Sequence, residues 1–252
     1  MKKLVLTTAC VLAVTGAAFA QGIIDWASAP SVNFIVQTNA TAYSSLFPGF
    51  GTPSGGTVGN DGPGLAGPGF YDALLYGSQN TTGVATAAPT TLSALLNNWA
   101  ATGLYATNAV ATTFNGRLGF VNPNGAAVVP WGGNSDAGGK SNNIIMVGWS
   151  ANLGSSWLAV SNVLNNWASL GSTIVGPAFL GMSATGFIVG NDSPASGAAL
   201  FNNGLTPNGL PFYQPSANPQ VLFLIPNVPE PATMALVGLG GLSLMLFRRQ
   251  RK

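Results

Sequence analysis

The sequence predicts an all-β protein: an antiparallel β-sandwich of jelly-roll type with one or two short helices, an N-terminal signal helix and a C-terminal transmembrane helix. Three observations point there. Short apolar runs bounded by Gly, Pro, Asn and Ser recur along residues 21–227, the spacing of sandwiches and barrels. The 34 Gly and 17 Pro among 252 residues are turn-forming but fall short of a low-complexity chain, and aromatic residues are spread through the body. At each end the composition changes to an uncharged apolar stretch flanked by cations, which is how targeting and membrane segments read.

Within the body, Ser31 to Gln37 places Val32, Phe34 and Val36 on one face of a strand. Residues 48–68 are nearly all Gly, Pro, Ser and Asn and read as an unusually long loop. A strand follows from Phe70 to Tyr76. Arg117 to Val121 and Ala126 to Val129 flank Asn122-Pro123-Asn124-Gly125 and read as a hairpin. Asn143 to Trp149 is apolar without alternation at Ile144, Ile145, Met146 and Val147, as expected of a central strand covered on both faces. Gly186 to Val189 and Val221 to Ile225 complete the strands. Two segments have helical spacing instead. They are Leu92, Leu95, Leu96 and Trp99 behind Thr90 and Thr91, and Trp157, Val160, Leu164 and Trp167 behind Ser155 and Ser156. Both contain Leu-Asn-Asn-Trp-Ala, at residues 96–100 and 164–168. This reads either as an internal repeat or as two short helices whose tryptophans plug opposite ends of a sandwich.

The N-terminus joins Lys2 and Lys3 to an apolar run and a small-residue A-x-A site at Ala18-Phe19-Ala20. That is a signal peptide over residues 1–20, cut after Ala20 by signal peptidase. The C-terminal segment, residues 228–252, has three parts: a Pro-rich motif at 228–233, an uncharged helix at 232–247 and a basic end at 248–252. Sixteen helical residues rise about 24 Å, slightly less than the ~30 Å hydrocarbon core. The basic end closes part of that gap by snorkelling. Arg248, Arg249, Arg251 and Lys252 form a membrane stop on the cytoplasmic side, which leaves the body outside the cytoplasm. Neither a GPI signal, which ends in its hydrophobic tail, nor a Leu-Pro-x-Thr-Gly sortase signal fits.

The order Val228-Pro229-Glu230-Pro231, apolar helix and terminal Arg cluster resembles the PEP-CTERM sorting signal of Gram-negative bacteria. The family motif falls on Pro229, Glu230 and Pro231. The resemblance implies an exosortase as processing partner, transient anchoring in the inner membrane, and delivery to the cell surface or an exopolysaccharide matrix. The body also resembles small PEP-CTERM proteins in outline.

The charges separate the two signals from the domain between them. Of 8 basic and 6 acidic residues, only Arg117 and Lys140 are cations of the body, against Asp25, Asp61, Asp72, Asp136 and Asp192. The body therefore carries a net charge of −3. Two cations cannot neutralise a phosphate backbone, so nucleic acid is excluded as a partner. The sole cysteine, Cys10, lies in the signal peptide, so the body folds without disulfides. The chain has no histidine, which removes Ser-His-Asp and Cys-His catalysis and most zinc sites. Ser183, in Gly181-Met182-Ser183-Ala184-Thr185-Gly186, has neither the spacing of a nucleophile elbow nor a base to activate it. Asp61, Asp136 and Asp192 sit among Asn, Gly and Ser and read as turn residues.

No catalytic residue, metal site or cofactor is therefore expected. The leading reading is a non-enzymatic structural or adhesive protein, exported and sorted by its tail. A second reading is a carbohydrate-binding module that stacks sugar on a loop aromatic. Trp131, between Pro130 and Gly132-Gly133, is its candidate residue, with exopolysaccharide as the candidate ligand. An acid-pair glycosidase is a third reading.

Overall fold

The structure is a computed structural model that describes residues 22–25, 35–54, 56–60, 69–108, 118–120, 126–131, 141–191, 198–200 and 220–227. Its strands are β1 (Gly22–Asp25), β2 (Val36–Tyr43), β3 (Val58–Asn60), β4 (Phe70–Asn80), β5 (Ala100–Asn108), β6 (Leu118–Phe120), β7 (Ala126–Val129), β8 (Ser141–Ser150), β9 (Phe179–Met182), β10 (Gly186–Val189), β11 (Ala198–Ala199) and β12 (Gln220–Leu224). Among the described residues the α-helices are α1 (Leu92–Asn98), α2 (Trp157–Asn165) and α3 (Trp167–Leu170).

Nine strands form one sheet in the order β3-β2-β12-β9-β8-β4-β5-β6, with β10 also on β8. Strand β8 is its spine. Along one edge it pairs with β4 from Phe70↔Ser150 to Asn80↔Ser141. Along the other it pairs with β9 and then β10, at Val147↔Met182 and Ile144↔Gly186. β9 and β10 are thus one strand interrupted at residues 183–185. There Ser183 turns inward, and its hydroxyl accepts from Met146 N (3.0 Å) and donates to the Ala184 carbonyl (2.6 Å). That hydroxyl is held as a ladder substitute.

Alternate residues of each strand feed two cores, because successive side chains point to opposite faces. On one face Leu74, Leu104, Ile144, Met146 and Leu222 pack against Ile24, Val129, Trp131 and Leu200, which belong to or flank the small sheet β11-β1-β7. On the other face Ala73, Leu75, Ile145, Val147, Trp149 and Leu180 pack against Leu95, Trp157, Val160, Leu164 and Trp167 of the helical layer. This double burial explains why residues 144–147 read as a continuous apolar run.

The protein is strand-rich, as expected, but its large sheet is mixed rather than purely antiparallel. β12 lies parallel to β2 and β11 lies parallel to β1. The outer face of the large sheet is covered by helices rather than by a second sheet. The hairpin expected around Asn122 to Gly125 does not form as a pair: β6 joins β5 in the large sheet, and β7 joins β1 in the small one. The long loop at 48–68 contains β3, an edge strand on β2.

Both predicted helix starts are seen. Thr91 accepts from Ala94 N (3.1 Å) and Ser156 from Ala159 N (3.3 Å), each satisfying a free N-terminal amide. The Leu-Asn-Asn-Trp-Ala copies share a helical approach and a buried Trp, then part. Trp99 is extended and leads straight into β5, whereas Trp167 opens α3. Both rings enter the same core, on one face of the sheet.

Candidate functional site at the body–tail junction

The last described strand, β12, runs up to the C-terminal segment and is tightly held. β12 sits inside the sheet between β2 and β9. Leu222 and Ile225 are buried, Leu222 in the inter-sheet core and Ile225 in the helical one. Past the strand, hydrogen bonds hold each successive residue: Ser44 N to Leu224 O (2.8 Å), Ile225 N to Ala178 O (2.8 Å) and the Trp167 indole N–H to Pro226 O (3.1 Å). Phe47 meets the Trp167 ring edge-to-face at 5.9 Å, a favoured aromatic geometry. Asn227 is exposed. Pro226, held in this way, lies two residues before Val228.

At its start β12 carries a buried polar pair. Gln220 Nε2 approaches Asp72 Oδ1 at 3.5 Å, from opposite ends of the chain, and Asp72 is 0% exposed. Gly148 lies between them. A Cβ there would meet that carboxylate oxygen, Leu222 Cδ2 at 2.8 Å and Gln220 Nε2 at 2.9 Å. The pair has filled the space that any other side chain at 148 would need. Sealed in this way, Asp72 cannot touch a substrate.

Elsewhere, a groove of about 640 Å³ is lined by Gly77, Ser78, Thr86, Pro89, Asn98 and Trp99, with no ionisable group. Beside it Asn143 accepts from Asn80 Nδ2 (3.0 Å) and Thr86 N (3.1 Å) and donates to Ser78 O (3.0 Å), which ties down the loop after β4. The Thr185 hydroxyl also donates to the Thr86 carbonyl. These side chains are spent on structure. Among the described residues no group of three His, Cys, Asp or Glu could hold a metal ion.

Trp131 is corrected from a loop platform to a core residue. It is 5% exposed, lies in the inter-sheet core and packs on Tyr76 with ring centroids 5.2 Å apart. The indole points inward, where burial of a large apolar ring is most favourable. Trp99, Trp149, Trp157 and Trp167 are buried too. Asp61, Asp136 and Asp192, the signal-cleavage residues Ala18 and Ala20, the motif Pro229, Glu230 and Pro231, and the membrane stop Arg248, Arg249, Arg251 and Lys252 lie outside the described residues. Among the described residues no helix is long and apolar enough to cross a membrane.

Residues 227–252 match the family model of the PEP-CTERM protein-sorting motif. The chain therefore carries a PEP-CTERM sorting motif at its C-terminus. No curated protein and no solved structure matches the chain. The motif implies export, membrane-linked processing and an exosortase as the processing enzyme.

Proposed function

We propose that the protein is an exported, non-enzymatic component of the cell surface or exopolysaccharide matrix. Its signal peptide, residues 1–20, directs export. Its tail holds it in the inner membrane, through a helix over residues 232–247, until an exosortase cuts near Pro229-Glu230-Pro231. The observation that carries this reading is the match of residues 227–252 to the PEP-CTERM protein-sorting motif.

The non-enzymatic part draws on side-chain chemistry. The chain has no histidine, Ser183 is bonded to backbone on both sides, and Asp72 is sealed. The body is poor in charge and rich in Asn, Ser and Thr, so it holds water largely through neutral dipoles that salt screens little. That suits a hydrated polysaccharide matrix. Stacking of sugar on Trp131, on which the carbohydrate-binding alternative rested, has no support from its burial.

The test is the triple variant Pro229→Ala, Glu230→Ala, Pro231→Ala, expressed in cells that process the wild type. We expect the variant to stay in the membrane fraction at the mass of a chain that keeps its C-terminal segment. A variant shortened like the wild type would remove the sorting role of these residues.

A further inference from the structure

The end of the domain from which the tail leaves has a surface of its own. The C-terminal end of β12 lies beside the C-terminal end of β2, at Leu224↔Tyr43, and the start of β9, at Leu224↔Phe179. Two large apolar side chains stand out to solvent there. Phe50 is 50% exposed and rests edge-on against Tyr43 at 6.0 Å. Val175 is 88% exposed, in the turn three residues before Ala178, whose carbonyl holds Ile225 N. Three residues of chain span at most about 10 Å, so Val175 stands close to the exit point. The described segments around the exit, residues 43–54, 151–179 and 220–227, contain no Asp, Glu, Lys or Arg, so pressing these residues against an apolar or interfacial medium desolvates no charge of their own.

The tether is short. From Asn227 to the first residue of the apolar helix, Ala232, there are five residues, which reach no more than about 18 Å fully extended. The headgroup zone of one leaflet takes roughly 5–8 Å of that reach. The apolar helix is also slightly shorter than the hydrocarbon core, a mismatch that draws its flanks toward the bilayer. The remaining reach, about 10 Å, keeps the exit end close to the lipid, and among the described residues that end bears Phe50 and Val175.

We propose that, before the tail is cut, this end of the domain docks on the bilayer, with Phe50 and Val175 entering the headgroup–acyl boundary of the outer leaflet of the inner membrane. The docked surface positions the motif at a fixed height above the lipid, where a membrane-embedded peptidase can reach it. This inference rests on the reading of residues 232–247 as an inserted helix, and its test separates the two.

The probe is the full chain with Cys10→Ser, reconstituted into vesicles of phosphatidylethanolamine and phosphatidylglycerol that carry lipid-borne quenchers at both headgroup and mid-acyl depth. Single cysteines at Phe50, Val175, Val84 and Leu239 take an environment-sensitive fluorophore. Val84 is the internal control: it is 70% exposed but follows Asn80, at the far end of β4. The span from Ser150 to Ser141 puts it about 30 Å from the exit end at ~3.3 Å per strand residue. The expected result is loss of most of the fluorescence at 50, 175 and 239 and little loss at 84. Quenching at 239 with none at 50 and 175 beyond that at 84 would overturn the docking while leaving the inserted tail in place. No quenching at 239 would overturn the inserted tail and the docking together.

Discussion

A chain ending at Pro219 is expected to remain unfolded. The deletion removes β12, which is not an edge strand but the link between β2 and β9. Strands β2 and β3 would then have no partner in the large sheet except each other. Two fully buried aliphatic side chains, Leu222 and Ile225, leave the two cores, each worth about 1.5–3 kcal/mol. The lost ladder bonds add roughly 1 kcal/mol each. The total exceeds the lower part of the ~5–15 kcal/mol that holds a domain together. Far-ultraviolet circular dichroism and limited proteolysis of purified protein check this. A native-like spectrum with slow proteolysis from the truncated chain would show that the sheet closes without β12. If the expectation holds, it bears on sorting. The strand that completes the fold is made last, directly before the tail, so the body finishes folding only as the motif itself emerges.

Gly181→Ala is expected to be the most damaging single substitution on the same strand pair. Gly181 lies opposite Leu222, where β9 and β12 pass so close that a Cβ would collide with the backbone carbonyl of Val221. It would also come within 2.8 Å of Leu222 Cα. Backbone cannot rotate away as a side chain can, so one strand must shift. Overpacking of a core usually costs about 1–3 kcal/mol, and a backbone collision belongs at or beyond the upper end of that range. Urea unfolding of the purified body should show a lower midpoint with an unchanged slope. A midpoint within error of the wild type would mean that the two strands have room the structure does not show. Gly148, by contrast, faces side-chain atoms of Asp72, Leu222 and Gln220, which have torsions with which to yield.

The sequence disclosed the parts of this protein that are governed by local chemistry. Thr91 and Ser156 announce helices because their hydroxyls satisfy the first free amides. Residues 144–147 announce a doubly covered strand because no polar residue interrupts them. The tail is legible because an uncharged run followed by four cations has few other uses. What stayed hidden was set by distant partners. β5, Ala-Ala-Thr-Gly-Leu-Tyr-Ala-Thr-Asn, has too many small residues to read as a strand. It forms because β4 offers it a ladder, and because Thr102 donates its hydroxyl to Leu74 O at 2.9 Å. β2 begins at Val36 and runs through polar Thr38, Asn39 and Thr41, a stretch with no apolar pattern, held by β12 and β3 from either side. The Asn122 to Gly125 turn carries sound hairpin chemistry, yet its flanking strands part to different sheets, because each finds a better-matched neighbour. Trp131 shows the same limit at a candidate site. Local residues mark a turn, but which way the ring points depends on the core it meets.

The central claim is that residues 227–252 carry a sorting signal, cut near Pro229-Glu230-Pro231 after export. The most direct measurement is the C-terminal sequence of the protein recovered from the outside of the producing cell, read by mass spectrometry of its terminal peptide. The account predicts an end close to Val228 to Thr233, with the peptides of Met234 to Lys252 missing. An extracellular protein that still ends at Lys252 would contradict it.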